Sequence, residues 1–323
     1  MAKKPFTPIP PMAELPPAEE INVSEILDKY LSGEIDLICV LGPTASGKTR
    51  YAVNLARQIN ALVERPAAEI ISADSRQVYR GMDIGTGKDL NEYEEIPYHL
   101  MDIVDAGTKY NIFEYQRDFE KAYKDIVDRG GIPILCGGSG LYIEAATCGY
   151  SLPEVPPDPE LRAELETKSD EELISQLASL KPLHNNTDYD TRKRLIRALE
   201  IAIYEAEHPV NRSSYLPKNT YYIGTLVSRE VRNAKIDARL DARLEEGMVD
   251  EIRGLIANAQ IPPEDLIYYG LEYKFVTLYL IGELTFEQMR TQLATAIHQF
   301  AKRQMTWFRG MERKGITIHW TAV

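Results

Sequence analysis

Short apolar runs rich in β-branched residues recur along the chain, and amphipathic stretches fill the intervals between several of them. The first, residues 35–41, reads Ile-Asp-Leu-Ile-Cys-Val-Leu and stops at Gly42-Pro43, the pattern of a strand buried on both faces. Further strands are expected at 69–73, 98–104, 132–136 and 221–227, with helices from Lys48 to about Gln58 and over 113–129. Strands alternating with helices predict an α/β fold built on a parallel sheet flanked by helices. Ahead of the first strand, Ile26, Leu27, Tyr30 and Leu31 share one face of a short helix, with Ser24 as its expected N-cap and Gly33 as its stop.

Residues 151–215 have a different character. Pro153, Pro156, Pro157 and Pro159 open the stretch, and amphipathic patterns rich in Glu and Lys fill it without a convincing strand, which predicts a helical insertion. After Val227 the chain returns to helix, with Ile236, Leu240, Leu244, Met248 and Ile252 spaced four apart. A last helix carries Phe286, Met289, Leu293, Ile297 and Phe300 at steps of three and four. Residues 1–20 hold six prolines and no periodicity, so they read as an extended arm. The expected organisation is an arm and short helix over 1–34, a core built from 35–150 and 216–323, and the insertion 151–215.

Composition narrows the class. With 323 residues, 44% apolar and 27% charged, the chain has the make-up of a folded globular protein. Its apolar runs are far shorter than the roughly 20 residues that cross a bilayer, and the prolines after Met1-Ala2-Lys3-Lys4 do not suit a signal peptide, so the cytoplasm is expected. Three cysteines with no CxxC pair argue against a disulfide framework or a zinc site, and Cys39 and Cys136 read as small buried hydrophobes. A net charge of −12 argues against a general nucleic-acid coat. Two basic clusters remain, one at Arg192, Lys193, Arg194 and Arg197 and one at Lys302, Arg303, Arg309, Arg313 and Lys314.

Chemistry concentrates after the apolar runs. Gly42-Pro43-Thr44-Ala45-Ser46-Gly47-Lys48-Thr49 matches GxxxxGK[ST] between a strand and a helix, the context that pattern needs. Backbone N–H groups of such a loop cradle phosphate, Lys48 supplies a cation, and Thr49 can ligate a phosphate-bound Mg²⁺. Asp74, in Asp74-Ser75-Arg76-Gln77, follows a strand at the edge where open α/β sheets keep their ligands. It reads either as a general base or, with Ser75, as the cap of a following helix. Gly137-Gly138-Ser139-Gly140 brings flexible backbone and a hydroxyl to the same edge. These residues alone fit an NTPase, a kinase or another group transferase.

Six segments in this order are more specific: 41–49, 70–88, Tyr98-His99-Leu100-Met101-Asp102-Ile103, 137–142, Arg194-Leu195-Ile196-Arg197-Ala198-Leu199-Glu200, and Lys302-Arg303-Gln304-Met305-Thr306-Trp307-Phe308-Arg309. Together they closely resemble the tRNA dimethylallyltransferase (isopentenyltransferase) family of bacterial type. The resemblance implies a P-loop nucleotide-kinase-like fold and transfer of a dimethylallyl group from dimethylallyl diphosphate to N6 of the adenosine just 3′ of the anticodon. It implies that Gly42, Thr44, Ala45, Ser46, Gly47, Lys48, Thr49 and Arg239 hold the diphosphate, with Mg²⁺ at Thr49, and that Asp74 is the base. It places Ser75, Arg76, Gln77, Ser139, Arg162, Lys193, Arg194 and Arg197 against tRNA. No membrane or obligate protein partner is implied, and a monomer suffices.

The chain departs from the family pattern in places. Gly270-Leu271-Glu272-Tyr273 stands where the family commonly reads Gly-Tyr-Arg-Gln, and Lys235 where arginine is usual. Glu272 is expected to face an unpaired base or a neighbouring arginine, since phosphate would repel it. The alternatives are an isopentenyltransferase of free adenine nucleotides, a P-loop small-molecule kinase using Asp102 or Asp105, and a non-catalytic binding module. Tyr268, Tyr269, Tyr273, Phe275 and Tyr279 have the chemistry to stack on bases, but most of them are expected to be core.

Overall fold

The computed structural model describes residues 15–148, 155–181, 191–208 and 216–323. The first part of the arm, both junctions of the insertion and residues 182–190 lie outside them. Within the described residues the strands are β1 Leu37–Leu41, β2 Ala68–Ser72, β3 Tyr79–Arg80, β4 Tyr98–His99, β5 Val104–Asp105, β6 Ile132–Gly137, β7 Thr220–Leu226 and β8 Ile318–Ala322. The helices are α1 Val23–Leu31, α2 Lys48–Leu62, α3 Ile112–Asp128, α4 Gly140–Thr147, α5 Pro159–Glu166, α6 Asp170–Leu180 and α7 Arg192–Glu207, followed by α8 Arg229–Glu245, α9 Met248–Ala257, α10 Pro263–Leu266, α11 Leu271–Leu280 and α12 Phe286–Arg313.

Six strands form one wholly parallel sheet in the order β4-β2-β6-β1-β7-β8. Because side chains alternate along a strand, β1 sends Leu37, Cys39 and Leu41 into one apolar core and Ile38 and Val40 into another. Helices cover both faces, so all five residues of β1 are buried. Parallel strands also end at one edge, which brings the segments after β1, β2 and β6 together.

The insertion has a core of its own, in which α5, α6 and α7 pack Leu165, Leu173, Leu177, Leu195 and Leu199. Its polar lock is Glu200, buried on α7. This carboxylate accepts from Arg162 Nε at 2.9 Å and Nη2 at 2.8 Å, from the Asp158 amide at 2.7 Å, and pairs with Arg197. Arg197 Nη2 also donates to Val155 O at 2.8 Å. Arg162 and Arg197, expected to meet tRNA, thus turn toward Glu200, although their side chains keep 42% and 39% of their exposure.

Several local expectations change. Asn22, not Ser24, caps α1, its side chain accepting from the Ser24 and Glu25 amides at 3.1 and 3.3 Å. The run 98–104 is not one strand: Leu100 and Asp102 take left-handed backbone (φ 61° and 54°), which ends β4 and turns the chain so that β5 pairs with β3 in a separate two-stranded sheet. Gly247, at φ 104°, divides the four-spaced stripe between α8 and α9. The last strand, β8, was not expected from its short sequence. It adds parallel to β7, where the Trp320 ring packs over Gly224 and its indole N–H donates to Glu312 at 2.8 Å.

These close approaches give a paired test. A Cβ on Gly224 would overlap the Trp320 ring, so Gly224→Ala should destabilise the protein by roughly 1–3 kcal/mol. Gly254 lies in α9 with nothing nearer to an added Cβ than Asn258 Nδ2 at 3.7 Å, so Gly254→Ala should stabilise it by about 0.5–1 kcal/mol. Urea unfolding of both variants checks the contrast.

Candidate active site

A cavity of about 360 Å³ opens at the C-terminal edge of the sheet. The loop after β1 contributes Thr44 and the start of α2 Lys48 and Thr49, the turn after β2 contributes Asp74, Ser75, Arg76 and Gln77, and the end of β6 and the loop after it contribute Gly137 and Ser139. Arg239 and Arg243 reach it from α8, Glu272 and Tyr273 from α11, and Gln304 from α12.

The P-loop gets its path from three local features. Gly42 sits so close to the hydroxyls of Thr225 and Ser46, themselves bonded at 2.6 Å, that no Cβ fits. Ala45 and Gly47 take left-handed backbone, at φ 61° and 78°. Gly47 then begins α2 without any side-chain cap, which leaves the first N–H groups of the helix available to an anion. Gln304 fastens the loop to its neighbour: its Oε1 accepts from the Thr44 amide at 2.8 Å and hydroxyl at 3.2 Å, while its Nε2 donates to Gly138 O at 2.9 Å.

Asp74 faces the same cavity. No helix follows it, so the capping reading fails; its Oδ1 accepts locally from the Arg76 amide at 2.9 Å. Its own amide meets Ser72 Oγ at 3.3 Å, Ser72 Oγ donates to Gln77 Oε1 at 3.2 Å, and Gln77 Nε2 donates to Gly87 O at 3.1 Å. Ser139 begins α4 but does not cap it with its side chain; its hydroxyl accepts from the Ser75 amide at 3.2 Å and joins the turns after β2 and β6.

Charge is concentrated and partly desolvated here. Burial lowers the Lys48 ammonium below the usual lysine value, against the opposing pull of Asp74. Burial and the neighbouring Arg239 lower Arg243. Burial raises the Glu272 carboxyl, opposed chiefly by Arg243. Glu272 thus shares the cavity lining with Arg243 and Arg239, whose charge opposes its own. Arg239 donates to Gly87 O at 3.3 Å and pairs with Asp89.

The expected diphosphate residues and Asp74 to Gln77 and Ser139 thus meet at one cavity, while Gly42, Ala45, Ser46 and Gly47 shape its loop. Arg162, Lys193, Arg194 and Arg197 lie on the insertion and line no part of it. Asp102 and Asp105, the carboxylates a kinase would need, pair instead with Lys88 and Arg80, and neither lines the cavity. Lys235 is exposed and also lies outside the lining. Tyr269 and Tyr273 are buried, Phe275 and Tyr279 pack against the core, and Tyr268 is exposed with the Arg76 guanidinium 5.8 Å from its ring centre. Cys39 and Cys136 are buried, the latter with its thiol pushed up to about 12 by burial. Sequence reasoning missed Gln304 and Arg243. Both occupy buried positions on helical stripes that are otherwise apolar, Ile297-Ala301-Gln304-Phe308 and Ile236-Leu240-Arg243, and that misplaced polarity was the available signal.

A family model described as IPP transferase matches residues 77–311, most of the chain. A tRNA dimethylallyltransferase 2 of Bacteroides fragilis is 57% identical over 291 residues, covering 89% of this chain and 92% of its own. A tRNA dimethylallyltransferase 1 of Parabacteroides distasonis is 58% identical over 289 residues, covering 88% and 92%. Among solved structures, a full-length tRNA isopentenylpyrophosphate transferase of Bacillus halodurans has a TM-score of 0.60 at 33% identity and 89% coverage of each chain. A eukaryotic dimethylallyltransferase acting on tRNA has a TM-score of 0.67 at 26% identity, over 84% of this chain and 69% of its own.

Titration calorimetry with magnesium diphosphate tests the anion site. Lys48→Ala should weaken binding by about tenfold or more, the loss expected for one charge-assisted contact. In the wild type, affinity should fall as pH rises, because the charged ammonium is the binding form and its pKa is lowered from 10.5. Lys48→Ala should lack that component of the pH profile.

Proposed function

The chain belongs to the IPP transferase family of tRNA dimethylallyltransferases, and on that premise we propose how its cavity performs the transfer. The donor is dimethylallyl diphosphate and the acceptor is N6 of the adenosine just 3′ of the anticodon. The observation that carries the reading is that the P-loop with Lys48 and the carboxylate of Asp74 line one cavity. The N6 lone pair forms a bond to C1 of the dimethylallyl group as the C1–O bond breaks, and the bonding electrons leave with diphosphate. Asp74 takes the proton lost from N6. Lys48, Arg239 and the open N–H groups of α2 stabilise the charge that develops on the leaving group.

A Mg²⁺ ion fits beside the P-loop, where Thr49 offers a hydroxyl at the cavity wall. The ion would take most of its ligands from phosphate oxygens and water, and when bound it supplies further neutralisation of the diphosphate. Gln77 and Ser139 hold the walls on the Asp74 side and would meet the target nucleotide. The insertion would carry the body of the tRNA, with Lys193 and Arg194 exposed on α7 and Arg162 and Arg197 presented by Glu200. No helix among the described residues is long and apolar enough to cross a membrane. The reading is of a cytoplasmic enzyme that needs no partner protein.

Two measurements test this. Asp74→Asn should slow single-turnover transfer by about 10²- to 10⁴-fold while magnesium diphosphate still binds, because an amide cannot accept the proton. A near wild-type rate would return Asp74 to its local hydrogen bond. Affinity for tRNA should fall steeply with salt, and Lys193→Ala should reduce the logarithmic slope by about 0.7–0.9 if that ammonium neutralises one phosphate. An unchanged slope would remove Lys193 from the tRNA surface.

A further inference from the structure

Glu251 lies on α9 and does not line the cavity, yet its carboxylate is fully engaged by groups that do or that adjoin them. Its Oε2 accepts from the amides of Asp83 and Ile84 at 2.8 and 2.7 Å. Its Oε1 accepts from the Gly85 amide at 3.1 Å and from the Tyr273 hydroxyl at 2.7 Å. Three successive N–H groups converging on one anion form a nest, an anion-binding concavity of the backbone. Here the anion is part of the protein.

The segment so held runs along the cavity wall. Gly85 lies against the Tyr273 ring, with 2.8 Å left for an added Cβ. Gly87 lies against the guanidinium groups of Arg239 and Arg243, with no room for a side chain, and its carbonyl accepts from Arg239 and Gln77. At the far end Lys88, buried, donates to Tyr79 O at 2.6 Å and pairs with Asp83 and Asp102. The segment is therefore fixed at both ends, and its middle sets where two arginines and Gln77 rest.

We propose that Glu251 is a positioning residue for the transfer: by holding the amides of residues 83–85 it sets Gly87, whose carbonyl accepts from Arg239 and whose backbone packs against Arg243, and so aims both arginines at the diphosphate. It touches no substrate and passes no proton. The inference rests on the reading of the cavity as a diphosphate site. Arginine placement matters because small errors in the geometry of charged contacts are costly to rate and affinity.

Glu251→Gln keeps the shape of the side chain but turns an NH₂ group toward N–H donors, so it cannot accept all four bonds. The Kd for magnesium diphosphate and the KM for dimethylallyl diphosphate should each rise about tenfold or more, while the KM for tRNA changes by less than about twofold. Amide exchange at residues 83–85 should accelerate in the same variant. Asp250→Asn, which alters the exposed neighbouring carboxylate on α9 that pairs with Arg253 and leaves every bond of Glu251 in place, should bind diphosphate within about twofold of wild type. Should Glu251→Gln not fold, Glu251→Asp draws the carboxylate back by one methylene and carries the same measurements. A lowered melting temperature with wild-type Kd, KM and amide exchange would make Glu251 structural only and overturn the proposal. Failure of the wild-type protein to bind magnesium diphosphate would instead overturn the reading of the cavity.

Discussion

The contact between Gly42 and the bonded hydroxyls of Ser46 and Thr225 sets the path of the P-loop, and the rest of the site is arranged around that path. A side chain at position 42 would separate β1 from β7 at the point where the chain must turn. With the turn made, the left-handed residues Ala45 and Gly47 start α2 with its N–H groups open to the cavity. Gln304 then ties this loop to the one after β6. The parallel sheet does the rest, because strands that run the same way deliver their C-terminal loops to the same edge. Asp74 comes to face Lys48 through strand direction and order, without any direct bond between them.

The cavity places cations and carboxylates together before substrate arrives. Burial lowers the pKa of Lys48 and Arg243 and raises that of Glu272, so each charge is held against lost hydration. An entering diphosphate would replace the water those cations have lost, and its charge would favour the ammonium form of Lys48. Glu272 offsets the charge of Arg243 and Arg239 from within the protein. The insertion repeats this economy at Glu200, which uses two arginines and a backbone amide to hold the start of α5 against α7.

The P-loop was legible because its function needs fixed residue types at fixed spacing, and β1, β2, β6 and β7 because burial on both faces leaves continuous apolar runs. What escaped was settled at a distance. Trp320 and its neighbours form a strand only because β7 offers an unpaired edge, and 98–104 divides because Leu100 and Asp102 turn the backbone, after which Asp102 pairs with Lys88 and the Ile103 and Val104 amides donate to Val78 O. The basic patch of the insertion was visible as charge, but the direction of Arg162 and Arg197 depended on Glu200, a residue whose place on an amphipathic helix reads as surface. Asp74 was found from its place after a strand, whereas Gln304 and Arg243 became meaningful once their helices were known to be buried on those faces.

The proposed chemistry requires one cavity to join a P-loop-bound dimethylallyl diphosphate to an adenosine presented by tRNA. Its most direct test is mass spectrometry of nucleosides after the purified protein is incubated with dimethylallyl diphosphate and Mg²⁺, with unmodified tRNA in one reaction and AMP in the other. N6-dimethylallyladenosine should appear in the tRNA digest, located just 3′ of the anticodon, with no prenylated AMP. Prenylated AMP beside unmodified tRNA would contradict that chemistry.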